Sequence, residues 1–172
     1  MIRRLLSLLA VTAVLLMGCS SGSGLESPAA AVPPAGSVPA QLQFTAETLG
    51  GQGFSGESLL GKPAVLWFWA PWCPVCQREA PMVGAIAKAN PAVTFVGVAA
   101  QDEVSAMQQF VDTYPVGGFT HLADTDGAVW AKFGVTYQPA YAFVDADGGI
   151  DVVKASMSEA ELTERVGALS TR

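Results

Sequence analysis

Two cysteines stand three positions apart in Trp72-Cys73-Pro74-Val75-Cys76. An apolar run precedes them and a helical pattern follows, so Cys73 falls at a strand-to-helix junction. Pro74 sits in the first helical turn, where its missing N–H costs nothing. Cys73 then meets unpaired backbone N–H groups and the positive end of the helix dipole, which favour a thiolate. Cys76 lies one turn on along the same face, within reach of a small disulfide ring. The pattern predicts an exposed nucleophile at Cys73 and a buried resolving thiol at Cys76. Exchange with a substrate disulfide or thiol would pass through a mixed disulfide.

The third cysteine, Cys19, is set apart. Arg3 and Arg4 precede an uncharged apolar run, Leu5 to Met17, that ends in Leu16-Met17-Gly18-Cys19. The run is short for a bilayer span and fits a signal-peptide core. Its end resembles the lipobox of bacterial lipoproteins, although Met17 is a less usual residue there. The alternative is an ordinary signal peptide or an uncleaved anchor, with an incidental cysteine. Residues 1–18 are expected to be a lipoprotein leader and Cys19 the lipidated residue. Residues 19–40, rich in Ser, Gly, Ala and Pro, read as a flexible tether, and residues 41–172 as the folded domain. This places the domain outside the cytoplasm, anchored to the cell membrane by lipid. A lipidated Cys19 cannot enter a disulfide, so one redox pair remains, in a compartment where disulfides persist.

The chain has 172 residues, enough for one domain with a core. Its formal charge is −6. Loss of the leader removes Arg3 and Arg4 and no acid, leaving seven basic against fifteen acidic residues, a charge of −8. Nucleic-acid binding would need clustered Lys and Arg, and none is present. A structural zinc site needs four ligands. The domain offers two cysteines and one histidine, His121, which reads as a packed strand residue. No metal and no cofactor are expected. A non-catalytic copper-binding lipoprotein is the alternative of another class, but such carriers space their cysteines more widely and add a histidine. A peroxidase would call for a Thr-x-x-Cys arrangement, absent before Cys73.

The elements that must position the pair follow from patterning. Residues 41–55 alternate around a Gly-Gly-Gln-Gly break and predict a short hairpin. Ala64 to Ala70 is apolar throughout, as in a strand buried on both faces. A helix follows from Cys73 to about Asn90. A second buried strand begins near Val93. An amphipathic helix starts near Ser105, a short strand holds His121, and a helical turn or two ends at Gly134. Residues 140–153 predict a hairpin turning at Asp145-Ala146-Asp147-Gly148. Ser158 and Glu161 form a capping box that opens a last helix to about Leu169. The reading is an α/β domain with a mixed central sheet flanked by helices and an N-terminal β-hairpin.

Phe68-Trp69-Ala70-Pro71-Trp72-Cys73-Pro74-Val75-Cys76, with Pro81 five residues on, resembles the active-site signature of the thioredoxin-like family. Residues 132–148 are similar to its second signature, a cis-proline before a buried strand. The hairpin and the run Arg78-Glu79-Ala80-Pro81 resemble the extracytoplasmic TlpA/ResA/DsbE-like branch. The resemblance implies a thioredoxin-like fold and thiol–disulfide exchange. It implies that Pro139 is cis, that Gln138 and Pro139 present backbone to a substrate chain, and that Trp72 shields the site. Implied partners are exported proteins bearing thiols or disulfides and a membrane redox partner that recycles the pair. One departure stands out: the position of thioredoxin's buried aspartate is Trp67. Glu79, three residues after Cys76, is either a replacement proton acceptor or a solvated helix carboxylate. Oxidation of exported thiols is the expected direction, with reduction of the cytochrome c maturation type as the alternative.

Overall fold

The structure is a computed structural model that describes residues 38–171. The expected leader, Cys19 and the tether up to residue 37 lie outside the described residues. Val38 packs against an apolar cluster, and Ala40–Leu42 forms a 3₁₀ turn that buries Leu42. Structure is therefore already present a few residues before 41.

Seven strands and four helices follow. The hairpin β1 (Thr45–Glu47) and β2 (Gly53–Ser55) is antiparallel. It turns through Gly51, whose φ of 76° suits glycine. Leu49 N–H donates to the His121 carbonyl at 2.9 Å, so the hairpin covers the edge of the main sheet. That sheet comprises β3 (Ala64–Trp69), β4 (Thr94–Ala99), β5 (Thr120–Ala123), β6 (Ala140–Val144) and β7 (Ile150–Val153), in the order β5-β4-β3-β6-β7. The β3–β4 and β4–β5 pairs are parallel; β3–β6 and β6–β7 are antiparallel.

Strand β3 is central and wholly buried. Its alternation feeds two cores. Val65, Trp67 and Trp69 point to one face, together with residues of α1 (Pro74–Ala89), α2 (Val104–Thr113) and α4 (Glu159–Leu169). Ala64, Leu66 and Phe68 point to the other, with Trp130 of α3 (Ala128–Lys132) and the N-terminal Leu42 and Phe44. A strand covered on both faces needs apolar residues at every position, which is why it reads as a continuous run.

The predicted helix ends hold. Ser158 and Glu161 form the reciprocal capping box of α4, and Gly134 takes φ 63° after α3. Helix α1 runs through Pro81. At Gly84 it lies against the 115–116 backbone so closely that a Cβ would come within 1.9 Å of the Pro115 carbonyl oxygen.

Candidate active site

Strand β3 delivers the chain to the site and α1 takes it away. Between them, Cys73 N–H donates to the Ala70 carbonyl at 3.1 Å, and the Gln77 side chain donates to the Pro71 carbonyl at 2.9 Å. Pro74 begins α1 and Cys73 is its N-cap. The Cys73 sulfur accepts from Cys76 N–H at 3.2 Å, taking the place a Ser or Asp oxygen commonly holds. Both cysteines are free thiols.

The expectation of an exposed Cys73 is corrected here: the residue is 3% exposed. Capping and exposure compete, because a sulfur that accepts the Cys76 amide turns in toward the helix axis. Cys76 is fully buried as expected. Burial, and then its hydrogen bond with Cys73, pushes the Cys76 thiol well above its ordinary value; nearby Glu79 adds in the same direction. The two sulfurs are thus unequal. The Cys73 sulfur accepts an amide at the helix start, whereas the Cys76 thiol is sealed in and holds its proton.

Glu79 is not a solvated carboxylate. It is 7% exposed. The Tyr141 hydroxyl donates to its Oε2 at 2.6 Å and the Met157 N–H to its Oε1 at 3.1 Å. Burial raises its pKa, and these two hydrogen bonds and Arg78 oppose the rise. Tyr141 and Met157 were not singled out by sequence reasoning. The available signal was a tyrosine in a strand otherwise apolar on both faces, since a buried phenol needs a partner.

The Gln138–Pro139 bond is cis. Ala140 pairs with Phe68, so the residues before β6 lie at the sheet end where β3 runs into Cys73. Gln138 is half-buried and Pro139 buried. Trp72 is 53% exposed, its Nε1–H donating to the Gln101 carbonyl at 3.0 Å. A groove of about 330 Å³ beside it is lined by Pro71, Trp72, Gln77, Asp102 and Tyr114, among others.

His121 is a buried strand residue, apart from the cysteines. Its Nε2 lies 2.9 Å from the Val116 carbonyl, so Nε2 carries the proton and donates. Burial lowers its pKa to about 4. Asp124 was also missed. It is buried and accepts from Val129 and Trp130 N–H at 2.9 and 2.8 Å, fixing the start of α3. Among the described residues, no group of three or more His, Cys, Asp or Glu side chains is placed to hold a metal ion.

A cysteine pair capping a helix at the end of a central strand, with a cis-proline loop alongside, places the molecule among the thioredoxin-like thiol–disulfide oxidoreductases. The chain belongs to the AhpC/TSA family, whose model matches residues 38–153. It is 54% identical over 134 residues to the soluble secreted antigen MPT53 of Mycobacterium tuberculosis, covering 76% of this chain and 77% of that protein. The structure of MTB DsbF in mixed oxidised and reduced forms shares 70% identity at a TM-score of 0.77, covering 77% of this chain and 99% of that one. A secreted Mycobacterium tuberculosis disulfide oxidoreductase, described as homologous to E. coli DsbE, shares 55% identity at a TM-score of 0.72. That match covers 75% of this chain and 98% of the other. The thioredoxin-like fold, the mixed sheet between helices and the N-terminal two-stranded sheet agree with the sequence reading.

Proposed function

We propose that the protein oxidises thiols of exported proteins, with Cys73 as the sulfur attacked by substrate and Cys76 as the resolving sulfur. The observation that carries this reading is the asymmetry of the pair, an N-capping Cys73 sulfur against a sealed Cys76. In the oxidising direction, a substrate thiolate attacks the Cys73 sulfur of a Cys73–Cys76 disulfide. The mixed disulfide forms and Cys76 leaves as a thiolate, taking a proton from Glu79. A second substrate thiolate then attacks the substrate sulfur of the mixed disulfide. The substrate disulfide forms and Cys73 leaves as a thiolate, stabilised by the helix amides. The substrate has lost two electrons and the enzyme has gained them. A membrane redox partner removes them and restores the disulfide.

Stabilising the leaving Cys73 thiolate favours the reduced enzyme, which makes an oxidant. Run backwards, the same residues reduce a substrate disulfide, with the Glu79 carboxylate accepting the Cys76 proton. That buried carboxylate is the one observation that also suits a reductase. Trp72, Pro74, Gln138 and Pro139 are assigned to holding the site and presenting backbone to the substrate chain. In this reading residues 1–18 are a leader, residues 19 to about 37 a tether and Cys19 a lipid anchor at the outer side of the cell membrane.

Trapping tests the assignment. Cys76→Ser mixed with a reduced, unfolded thiol protein and an oxidant should accumulate a mixed disulfide through Cys73, and Cys73→Ser should accumulate none. Trapping by the Cys73 variant alone would reverse the roles. A reduction potential at about −120 to −180 mV supports oxidation, and one near thioredoxin's ~−270 mV supports the reductase. Cys19→Ala should abolish lipid labelling; unchanged labelling would remove the anchor from the reading.

A further inference from the structure

Glu79 could not sit where it does unaided. It is buried, and both partners of its carboxyl, Tyr141 and Met157, belong to the apolar cluster that holds Cys76, where an isolated charge is costly. One oxygen is met by a backbone amide, that of Met157. The other is met by a side chain 62 positions away, Tyr141, at 2.6 Å. That tyrosine is fully buried, and its ring stacks beside Phe143.

We propose that Tyr141 is a positioning residue for thiol–disulfide exchange: its hydroxyl holds the Glu79 carboxyl and sets how readily that carboxyl trades a proton with Cys76. This rests on the reading of Glu79 as the proton partner of Cys76. A phenol suits the task because it donates to the carboxylate and accepts from the carboxylic acid by turning its O–H. Met157 N–H can only donate, so it favours the charged form alone. Tyr141 thus tolerates both states of Glu79, as a group that gives and takes a proton each cycle requires.

The groups around Glu79 are few. On α1 they are Cys76 and Arg78, with Cys73 at the cap; on β6, Tyr141; from the segment entering α4, the Met157 amide. On α4 itself, Glu159, Glu161 and Glu164 are exposed, and Arg165 is held by Asp151 and lies over Phe143. Tyr141 donates to the charged form, so removing its hydroxyl raises the Glu79 pKa further. The limb of the pH–rate profile that belongs to Glu79 then moves to higher pH, in either direction of exchange.

The test is the pH–rate profile of exchange between the full domain and a model thiol or disulfide protein. Tyr141→Phe should move the Glu79 limb up by about one to two pH units. Replacing Tyr141 with 3-fluorotyrosine, a stronger donor, should move it down, which keeps the test open if Tyr141→Phe folds poorly. Glu79→Gln should abolish the limb, and adding Tyr141→Phe to it should change the exchange rate no further. A limb unchanged by Glu79→Gln overturns the proton role of Glu79. A limb lost in Glu79→Gln but unmoved by either change at Tyr141 overturns the role of Tyr141 alone. An equal rate loss from Tyr141→Phe with and without Glu79 makes the tyrosine merely structural and also overturns it.

Discussion

Trp67 and Tyr141 stand opposite each other across the antiparallel β3–β6 ladder, and both are fully buried. The relationship accounts for the location of the buried acid. Thioredoxin, by resemblance, carries its acid at the position of Trp67; here an indole stacked on Trp69 and tilted against Phe110 fills that space. The strand opposite supplies a phenol instead, and the phenol reaches an acid on α1.

The buried carboxyl should make stability depend on pH. Burial raises the Glu79 pKa above its ordinary 4.5, so the folded state holds this proton more tightly than the unfolded state. Its contribution is therefore favourable below the ordinary value and is lost as pH rises through the folded value. Urea melts of reduced wild type and Glu79→Gln should show the variant gaining relative stability as pH rises from about 4.5. A difference constant across pH would refute the buried ionisation.

His121 predicts the opposite slope. Its pKa falls from 6.5 to about 4, so the unfolded state binds the proton first. Stability is full above 6.5 and is lost as pH falls toward 4. Over that window the loss is roughly 3 kcal/mol. His121→Asn should flatten this part of the stability profile, and an unchanged slope in the variant would assign it to other groups.

Gly84→Ala tests the closest backbone approach. In an open helix the change would stabilise by about 1 kcal/mol. Here the new Cβ meets the Pro115 carbonyl oxygen at 1.9 Å. Backbone cannot swing aside as a side chain can, so overpacking wins and the variant should lose about 1–3 kcal/mol in denaturant melts. A gain in stability would show that the 115–116 segment yields freely.

Trp72 should separate substrate contact from chemistry. The ring is half-exposed, so Trp72→Ala should cost about 1 kcal/mol of stability at most, the scale of its hydrogen bond to Gln101. Exchange with an unfolded protein should fall roughly tenfold, while exchange with a small disulfide is kept. Equal losses on both substrates would place Trp72 in support of the cysteines instead.

Much of the molecule was legible because its signals are local. The apolar run of β3, the Cys73–Cys76 spacing with Pro74, the box between Ser158 and Glu161 and the glycine after α3 each span a few residues. Backbone sterics, capping and the dipole act over that distance, so residue type and spacing suffice. Other features depended on tertiary structure. The partners of Glu79 and the fit of His121 against Gly97 join segments far apart in sequence. They depend on register: Trp67 faces Tyr141, and Gly97 lies between Trp67 and His121. A slip of one residue in either ladder would turn these side chains to the other face of the sheet. No local pattern in the chain specifies that register, because it is set when both faces of β3 are buried at once.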